Sequence, residues 1–136
     1  MSESIQHIAL VRILEHRAKE LIPKELWTLI LLDTPESKEA PPSTTEGYRP
    51  DLYFCFNKIL IVGEAKTSKD VERTHSKAQY LSYLKKCSIF EGKAYLLLAV
   101  PWIEKITATN LLIQMKKCNQ INCNIEVLDN VGWDTK

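Results

Sequence analysis

The feature that most constrains the fold of this chain is a pair of short apolar segments joined by two turn residues. The segments cover residues 51–56 and 59–66, and Asn57 and Lys58 lie between them. The second segment is β-branched and apolar until its last four residues, 63–66, which read Gly-Glu-Ala-Lys. A two-residue turn between such segments predicts a β-hairpin, which must pack against further elements to be stable.

The other patterned segments complete an α/β domain with a mixed sheet flanked by helices. Helical spacing of apolar residues predicts helices, and short apolar runs predict buried strands. The helices cover 5–22, 71–87 and 103–117, and the strands cover 26–32, 93–100 and 123–128. Ser4 and Asp70 suit the N-caps of the first two helices. The predicted order is αβββαβαβ, in one domain that covers residues 1–136.

A long segment of different composition lies between the first predicted strand and the hairpin. Residues 33–49 contain three prolines and several serines and threonines. This composition predicts a mobile loop that is unusually long for so small a domain. The loop leads directly into Pro50 and Asp51. It either closes over a substrate, with Tyr48 or Arg49 in contact, or only links two strands.

Bulk composition excludes several classes of protein. A net charge of +1 argues against a chain that coats nucleic acid by charge alone. No apolar run approaches the ~20 residues that span a bilayer, and the N-terminus lacks the features of a secretory signal. A cytoplasmic location with no membrane association is expected. The cysteines contain no CxxC pair, which favours reduced thiols over a zinc site: they are Cys55, Cys87, Cys118 and Cys123.

Charged residues stand where the strand pattern of the hairpin ends. Asp51 opens the first strand, and Glu64 and Lys66 end the second with the i, i+2 spacing that puts both side chains on one face. If the strands pair through the predicted turn, residues whose numbers sum to about 115 face each other, so Asp51 pairs with Glu64. Single charges at strand ends are common and need no function. This combination in matched register favours a functional site.

The close pair of carboxylates, Asp51 and Glu64, needs a positive charge between them because they repel each other. Oxygen ligands without histidine or cysteine favour Mg²⁺, with Mn²⁺ as an alternative. The main-chain carbonyl of Ala65 is a further candidate ligand. Lys66 is placed to orient or deprotonate an attacking water, or to stabilise negative charge on a phosphate.

This arrangement resembles a known nuclease signature. Pro50-Asp51 followed by Glu64-Ala65-Lys66 is similar to the motif of the PD-(D/E)xK nuclease superfamily. That superfamily includes restriction endonucleases, archaeal-type Holliday junction resolvases and RecB-type nuclease domains. Its core order, αβββαβ, matches the first six predicted elements. The resemblance implies a restriction endonuclease-like fold with an extra C-terminal helix and strand.

The resemblance also implies a role for each residue of the motif. Asp51 and Glu64 are expected to bind the metal, and Lys66 is expected to be the catalytic lysine. Gln79 and Tyr83 lie one turn apart on the following helix and resemble the QxxxY element of RecB-type nucleases. That element helps to hold the site and the DNA, although helical spacing gives such a pair by chance quite often.

Many members of the superfamily add a glutamate from the first helix. Glu15 is the best match here because it shares the predicted apolar side with Ile8 and Val11. A surface pair between Glu15 and Lys19 explains the residue equally well. Glu15 is therefore expected to be either a metal ligand or part of a surface pair.

Basic residues accompany the motif. Lys69, Arg73 and Lys77 lie on the helix after Lys66 or on its approach, and Arg49 directly precedes the Pro-Asp pair. Such residues suit contacts with phosphates, although a solvated helix face explains each of them singly.

Two functions are consistent with this sequence, and a third interpretation is a globular α/β protein whose strand-end charges do something else. The first is a Mg²⁺-dependent deoxyribonuclease that works as a homodimer or with a partner protein that supplies recognition. The second is a non-catalytic nucleic-acid-binding or regulatory module on the same fold, within a larger defence or mobile-element complex. The intact carboxylates and lysine favour the first.

Overall fold

The computed structural model describes residues 4–131, which form a five-stranded sheet with helices on both faces. The α-helices are α1 (Ile5–Leu21), α2 (Thr74–Ile89) and α3 (Lys105–Cys118). The strands are β1 (Leu31–Leu32), β2 (Leu52–Phe56), β3 (Ile59–Ala65), β4 (Lys93–Ala99) and β5 (Asn124–Leu128). The sheet order is β1-β2-β3-β4-β5, antiparallel from β1 to β3 and parallel from β3 to β5. The α/β class and the mixed sheet flanked by helices are confirmed.

The hairpin of β2 and β3 has the register that its turn predicts. Leu52 pairs with Gly63, and the pairing continues in step to the turn. Asn57 and Lys58 both have positive φ angles, +53° and +63°. These angles are those of the type I′ turn that matches the twist of a two-residue hairpin. The register brings the two predicted carboxylates to the same end of the hairpin.

The sheet separates two apolar clusters. On one face α1 packs against a cluster that includes Phe54 and Ile61. On the other face α2 and α3 pack against a cluster that includes Leu60 and Val62. Because side chains alternate along a strand, Glu64 projects with Leu60 and Val62 toward α2.

The predicted strand over residues 26–32 is wrong for most of its length. The chain instead forms a 3₁₀ helix, Lys24–Leu29, and only Leu31–Leu32 pairs with β2. Trp27 Nε1 donates a hydrogen bond to the carbonyl oxygen of Lys19 at 3.0 Å, which ties this turn to α1. A short apolar run does not distinguish a buried strand from a helical turn, and packing against α1 decides the outcome here.

The second helix begins later than predicted, and Asp70 does not cap it. Arg73 is the N-cap residue of α2, and its side chain makes no capping hydrogen bond. Asp70 lies in a turn before the helix, where its carboxylate accepts a hydrogen bond from the Thr67 hydroxyl at 3.3 Å. The Tyr80 hydroxyl donates to the carbonyl oxygen of Val71 at 2.9 Å, which holds that residue in the connection before α2.

The other predicted elements are present, with small differences at their ends. Their boundaries shift by one or two residues, which is the usual uncertainty of a helix or strand terminus. The predicted N-cap of α1 is confirmed, because the Ser4 hydroxyl accepts a hydrogen bond from the first turn. Among the helices of residues 4–131, none is long and apolar enough to cross a membrane.

Candidate active site

Asp51 is held at the end of the hairpin by its backbone and by its side chain. Its N–H donates to the Gly63 carbonyl oxygen at 3.0 Å, and its Oδ2 accepts a hydrogen bond from the Ala65 N–H at 2.9 Å. Only 8% of the residue is exposed. The carboxylate therefore lies against the end of β3, beside the charged residues predicted to act with it.

Glu64 is buried on the α2 side of the sheet, with 5% of the residue exposed. The Tyr83 hydroxyl donates to its Oε1 at 3.1 Å, and Lys66 Nζ lies 3.2 Å from its Oε2. Burial, and after it the charge of Asp51, raises the pKa of Glu64 from 4.5 to about 8. Lys66 and Tyr83 lower this pKa but do not return it to its ordinary value. The effect of Lys66 on the pKa of Glu64 is thus smaller than the combined effect of burial and the neighbouring carboxylate.

Two residues of α2 make hydrogen bonds with the charged cluster. Gln79 Oε1 accepts a hydrogen bond from Lys66 Nζ at 2.5 Å, and Tyr83, one turn later, contacts Glu64. The Lys66 side chain is 12% exposed, so its ammonium group is largely shielded from water. The i, i+4 spacing puts both α2 residues on one helix face, as the sequence predicts, and that face meets the cluster.

His7 is a site residue that the sequence motifs do not indicate. Its Nε2 lies 3.4 Å from Asp51 Oδ2, and its side chain is 22% exposed. The main-chain N–H of His7 donates a hydrogen bond to the Ser4 hydroxyl at 3.0 Å, so this N-cap fixes the first turn of α1, which carries His7. α1 approaches the hairpin closely at Gly63, where an added Cβ would lie 3.4 Å from Leu14. The capped first turn of α1 therefore brings an imidazole to Asp51.

Glu15, the glutamate predicted from α1, pairs with Lys19 at 3.3 Å. This contact matches the surface-pair alternative, and Glu15 lies two turns, about 12 Å, further along the helix than His7. The phase of the helix explains the outcome. Ile8, predicted to lie on the apolar side, is 40% exposed, whereas Leu10 is buried at 1%. The buried face, extended one turn toward the N-terminus, contains His7, and that spacing is the signal that could have found it.

The predicted basic residues lie on the surface. Arg49, Lys69, Arg73 and Lys77 are all exposed. Arg73 Nε lies 3.2 Å from Asp70 Oδ1, and its side chain is 64% exposed. Their exposure suits contacts with phosphates and equally suits ordinary solvated charges.

The second half of the long loop before β2 is anchored to α2. The Ser82 hydroxyl donates to Glu46 Oε1 at 2.5 Å and lies 2.6 Å from the Thr44 hydroxyl. Because Ser82 has a single hydroxyl proton, the Thr44 hydroxyl must donate in the second contact. Tyr48 packs edge-on against His75, with ring centroids 5.5 Å apart. The segment predicted to be mobile thus has fixed contacts at these residues.

The candidate metal donors are the carboxylates of Asp51 and Glu64 and the main-chain carbonyl of Ala65, while the imidazole of His7 contacts the Asp51 carboxylate. Within residues 4–131, no group of three or more His, Cys, Asp and Glu side chains is close enough together to hold a metal ion. A cation would therefore have to draw these donors together. Carboxylate oxygens are the donors that Mg²⁺ prefers, so the residues present fit that ion.

The arrangement combines acidic and basic groups at the carboxyl end of β3. Carboxylates attract cations, and an ammonium group stabilises anionic oxygens, so the cluster has the chemistry needed to act on a phosphate ester. No family model, curated protein or solved structure matches this chain.

Proposed function

We propose that this protein is a Mg²⁺-dependent deoxyribonuclease that hydrolyses phosphodiester bonds. The observation that carries the proposal is the buried cluster of Asp51, Glu64 and Lys66, which α2 contacts through Gln79 and Tyr83. Burying charged groups opposes folding unless their pairing is very good. A cluster whose acid has a strongly raised pKa is typical of a catalytic site.

Mg²⁺ fits this donor set better than a transition metal does. Asp51 and Glu64 offer carboxylate oxygens and Ala65 offers a carbonyl oxygen, all of which are hard donors. The raised pKa of Glu64 reflects more buried negative charge than the site can balance, and a divalent cation would offset it. When bound, the cation supplies positive charge to the scissile phosphate and lowers the pKa of a water molecule.

Lys66 is proposed to stabilise the negative charge that develops on the phosphate. Gln79 and Glu64 hold its ammonium group in place before any substrate arrives. A donor that is already positioned costs no reorganisation during the reaction. Tyr83 orients Glu64 and stays a neutral donor, because burial raises the pKa of its hydroxyl well above the usual range.

The element order supports a restriction endonuclease-like core. α1, β1, β2, β3, α2 and β4 follow one another as αβββαβ, and α3 and β5 are then the extra C-terminal helix and strand. Gln79 and Tyr83 resemble the QxxxY element of RecB-type nucleases in their spacing, and both contact the charged cluster. Membership of the PD-(D/E)xK superfamily is part of this proposal.

DNA is the proposed substrate, and exposed basic side chains that lie near the motif in the sequence are proposed to contact its phosphates. These side chains are Arg49, Lys69, Arg73 and Lys77. A homodimer, a partner protein that supplies recognition and a cytoplasmic location stay predictions.

A second candidate function is the non-catalytic nucleic-acid-binding or regulatory module within a larger defence or mobile-element complex. The contact between Lys66 and Glu64 favours it, because an internal cation reduces the need for a metal. Within the described residues, no three or more His, Cys, Asp and Glu side chains are close enough together to hold a metal ion, which points the same way. Metal dependence therefore separates the two candidates.

Cleavage of DNA is expected to require Mg²⁺ or Mn²⁺ and to vanish in EDTA. The assay incubates the purified protein with plasmid, linear, single-stranded and branched DNA. Asp51→Asn keeps an oxygen that accepts the Ala65 hydrogen bond but removes the charge, so it should lower cleavage about 10²-fold or more. Asp70→Asn, in the turn before α2, is the matched control and should cleave normally. Cleavage that survives EDTA contradicts the proposal, and DNA binding without cleavage supports the second candidate.

His7→Ala is expected to weaken Mg²⁺ binding about 10- to 100-fold, as the loss of a residue that orients a ligand does. His7 Nε2 lies 3.4 Å from Asp51 Oδ2 and positions that carboxylate. The measurement is the Mg²⁺ concentration that gives half-maximal cleavage, and excess Mg²⁺ should restore the maximal rate. His16→Ala, an exposed histidine of the same helix, is the control. An unchanged Mg²⁺ requirement in His7→Ala would rule out this role.

A further inference from the structure

Two cysteine thiols meet in the core, away from the proposed active site. Cys87 lies in the last turns of α2, and Cys123 directly precedes β5. Both belong to the apolar cluster beneath α2 and α3, and they are 2% and 9% exposed. In contrast, Cys55 and Cys118 are exposed. The fold thus brings together two thiols that are far apart in the sequence.

The two thiols line the same cavity and are chemically unequal. The Cys87 thiol donates a hydrogen bond to the Tyr95 carbonyl oxygen at 3.8 Å. The interaction with Cys87 and the charge of Lys116 lower the pKa of the Cys123 thiol, although burial opposes them. The interaction with Cys123 and burial raise the pKa of the Cys87 thiol. Cys123 is therefore the better nucleophile of the pair.

A cavity of about 330 Å³ gives access to this pair. Cys87 and Cys123 both line it, and polar groups of Lys93, Asn122 and Asn124 surround them. A small polar molecule can approach the sulfur of Cys123 through such an opening. The thiols are thus buried among apolar residues on one side and reachable on the other.

We propose that Cys87 and Cys123 form a reversible dithiol–disulfide site that reacts with low-molecular-weight disulfides. The Cys123 thiolate attacks one sulfur of the small disulfide, and the other half leaves as a thiolate that takes up a proton. The Cys87 thiol then loses its proton and attacks Cys123 in the mixed disulfide, which releases the second small thiol. Two protein thiols are oxidised to one disulfide, and one small disulfide is reduced to two thiols.

The proposed disulfide would connect the end of α2 to the start of β5. Cys87 follows Tyr83, the residue that contacts Glu64, by one helical turn. Oxidation would therefore constrain the helix that holds the charged cluster and alter the rate of DNA cleavage. This consequence rests on the proposed nuclease function, whereas formation of the disulfide does not.

The test treats the full-length native protein with glutathione disulfide, alkylates the remaining thiols and maps the peptides by mass spectrometry. We expect a Cys87–Cys123 linked peptide that dithiothreitol removes. Cys87→Ser should instead accumulate glutathione on Cys123, because the second thiol is missing. The double variant Cys55→Ser, Cys118→Ser is the matched control and should still form the disulfide.

The site assignment is overturned if Cys87 and Cys123 stay reduced while the exposed cysteines react. It is also overturned if Cys87→Ser carries no glutathione on Cys123. Cleavage by the oxidised and the reduced protein is compared separately. A disulfide in a protein that cleaves no DNA contradicts the nuclease proposal and leaves the thiol site supported.

Discussion

Replacing Lys66 with methionine is expected to lower the rate of DNA hydrolysis by about 10²- to 10³-fold, as the loss of a preorganised donor does. Methionine keeps a flexible apolar stem but carries no charge. The ammonium group that it removes lies 3.2 Å from Glu64 Oε2 and 2.5 Å from Gln79 Oε1. Lys66→Arg should not rescue the rate, because a planar guanidinium group does not fit a side-chain position that is 12% exposed and already held by two partners.

The measurement is single-turnover cleavage of a labelled DNA at saturating Mg²⁺, together with DNA affinity from fluorescence anisotropy. Lys69→Met is the matched control, since Lys69 is exposed and stands three residues later. We expect Lys69→Met to weaken DNA binding and to leave the cleavage rate of bound DNA unchanged. If Lys66→Met cleaves bound DNA within about threefold of the unmodified protein, Lys66 is not a catalytic residue.

The part of the fold that the sequence predicts best is the hairpin, because its determinants are local. Asn57 and Lys58 adopt the positive φ angles of a two-residue turn, and that turn sets which residues face each other. Asp51 and Glu64 therefore meet at one end of the hairpin by register alone. No information about distant parts of the chain is needed for this step.

The parts that the sequence predicts poorly depend on packing between distant segments. The apolar run at 26–32 becomes mostly a 3₁₀ helix because Trp27 bonds to α1. The phase of α1 is ambiguous from its apolar residues, and a small rotation exchanges Ile8 for Leu10 on the buried face.

The sequence predicts the contacts of α2 with the charged cluster only in part. Helical spacing places Gln79 and Tyr83 on one face, and the resemblance to RecB-type nucleases names both residues. The loop contacts of Thr44 and Glu46 with Ser82 could not be inferred, because serine and threonine in a loop carry no signal of their distant partners. Sequence thus indicates the charged centre of the site better than the segments that support it.

Replacing Glu64 with glutamine is expected to make the metal-free protein more stable at alkaline pH. The pKa of Glu64 is raised from 4.5 in an ordinary setting to about 8 in the fold. The folded protein therefore holds the carboxyl proton of Glu64 more tightly than the unfolded chain does. The stability that Glu64 contributes is fully present below its unfolded pKa and is lost as the pH rises through the folded pKa. Glutamine has no such proton, so at about pH 9 the variant should be more stable by roughly 3 to 5 kcal/mol.

Urea unfolding in EDTA, from about pH 5 to about pH 9, measures this difference. Glu46→Gln is the matched control, because a hydrogen bond from Ser82 lowers the pKa of that exposed glutamate. Its contribution has the opposite sign: it is present above the unfolded pKa and is lost as the pH falls through the folded pKa. Glu46→Gln should therefore give no gain in stability at alkaline pH.

Mg²⁺ is expected to reverse the order of stability between the unmodified protein and Glu64→Gln. An ion that binds the folded state and not the unfolded chain stabilises the unmodified protein in proportion to the logarithm of its concentration. Glu64→Gln lacks one of the two carboxylates and should gain much less. If Glu64→Gln is instead the less stable protein at alkaline pH in EDTA, Lys66 already balances Glu64, and the cluster needs no metal to offset its charge. The same two carboxylates that weaken the metal-free fold are thus what a bound cation would use.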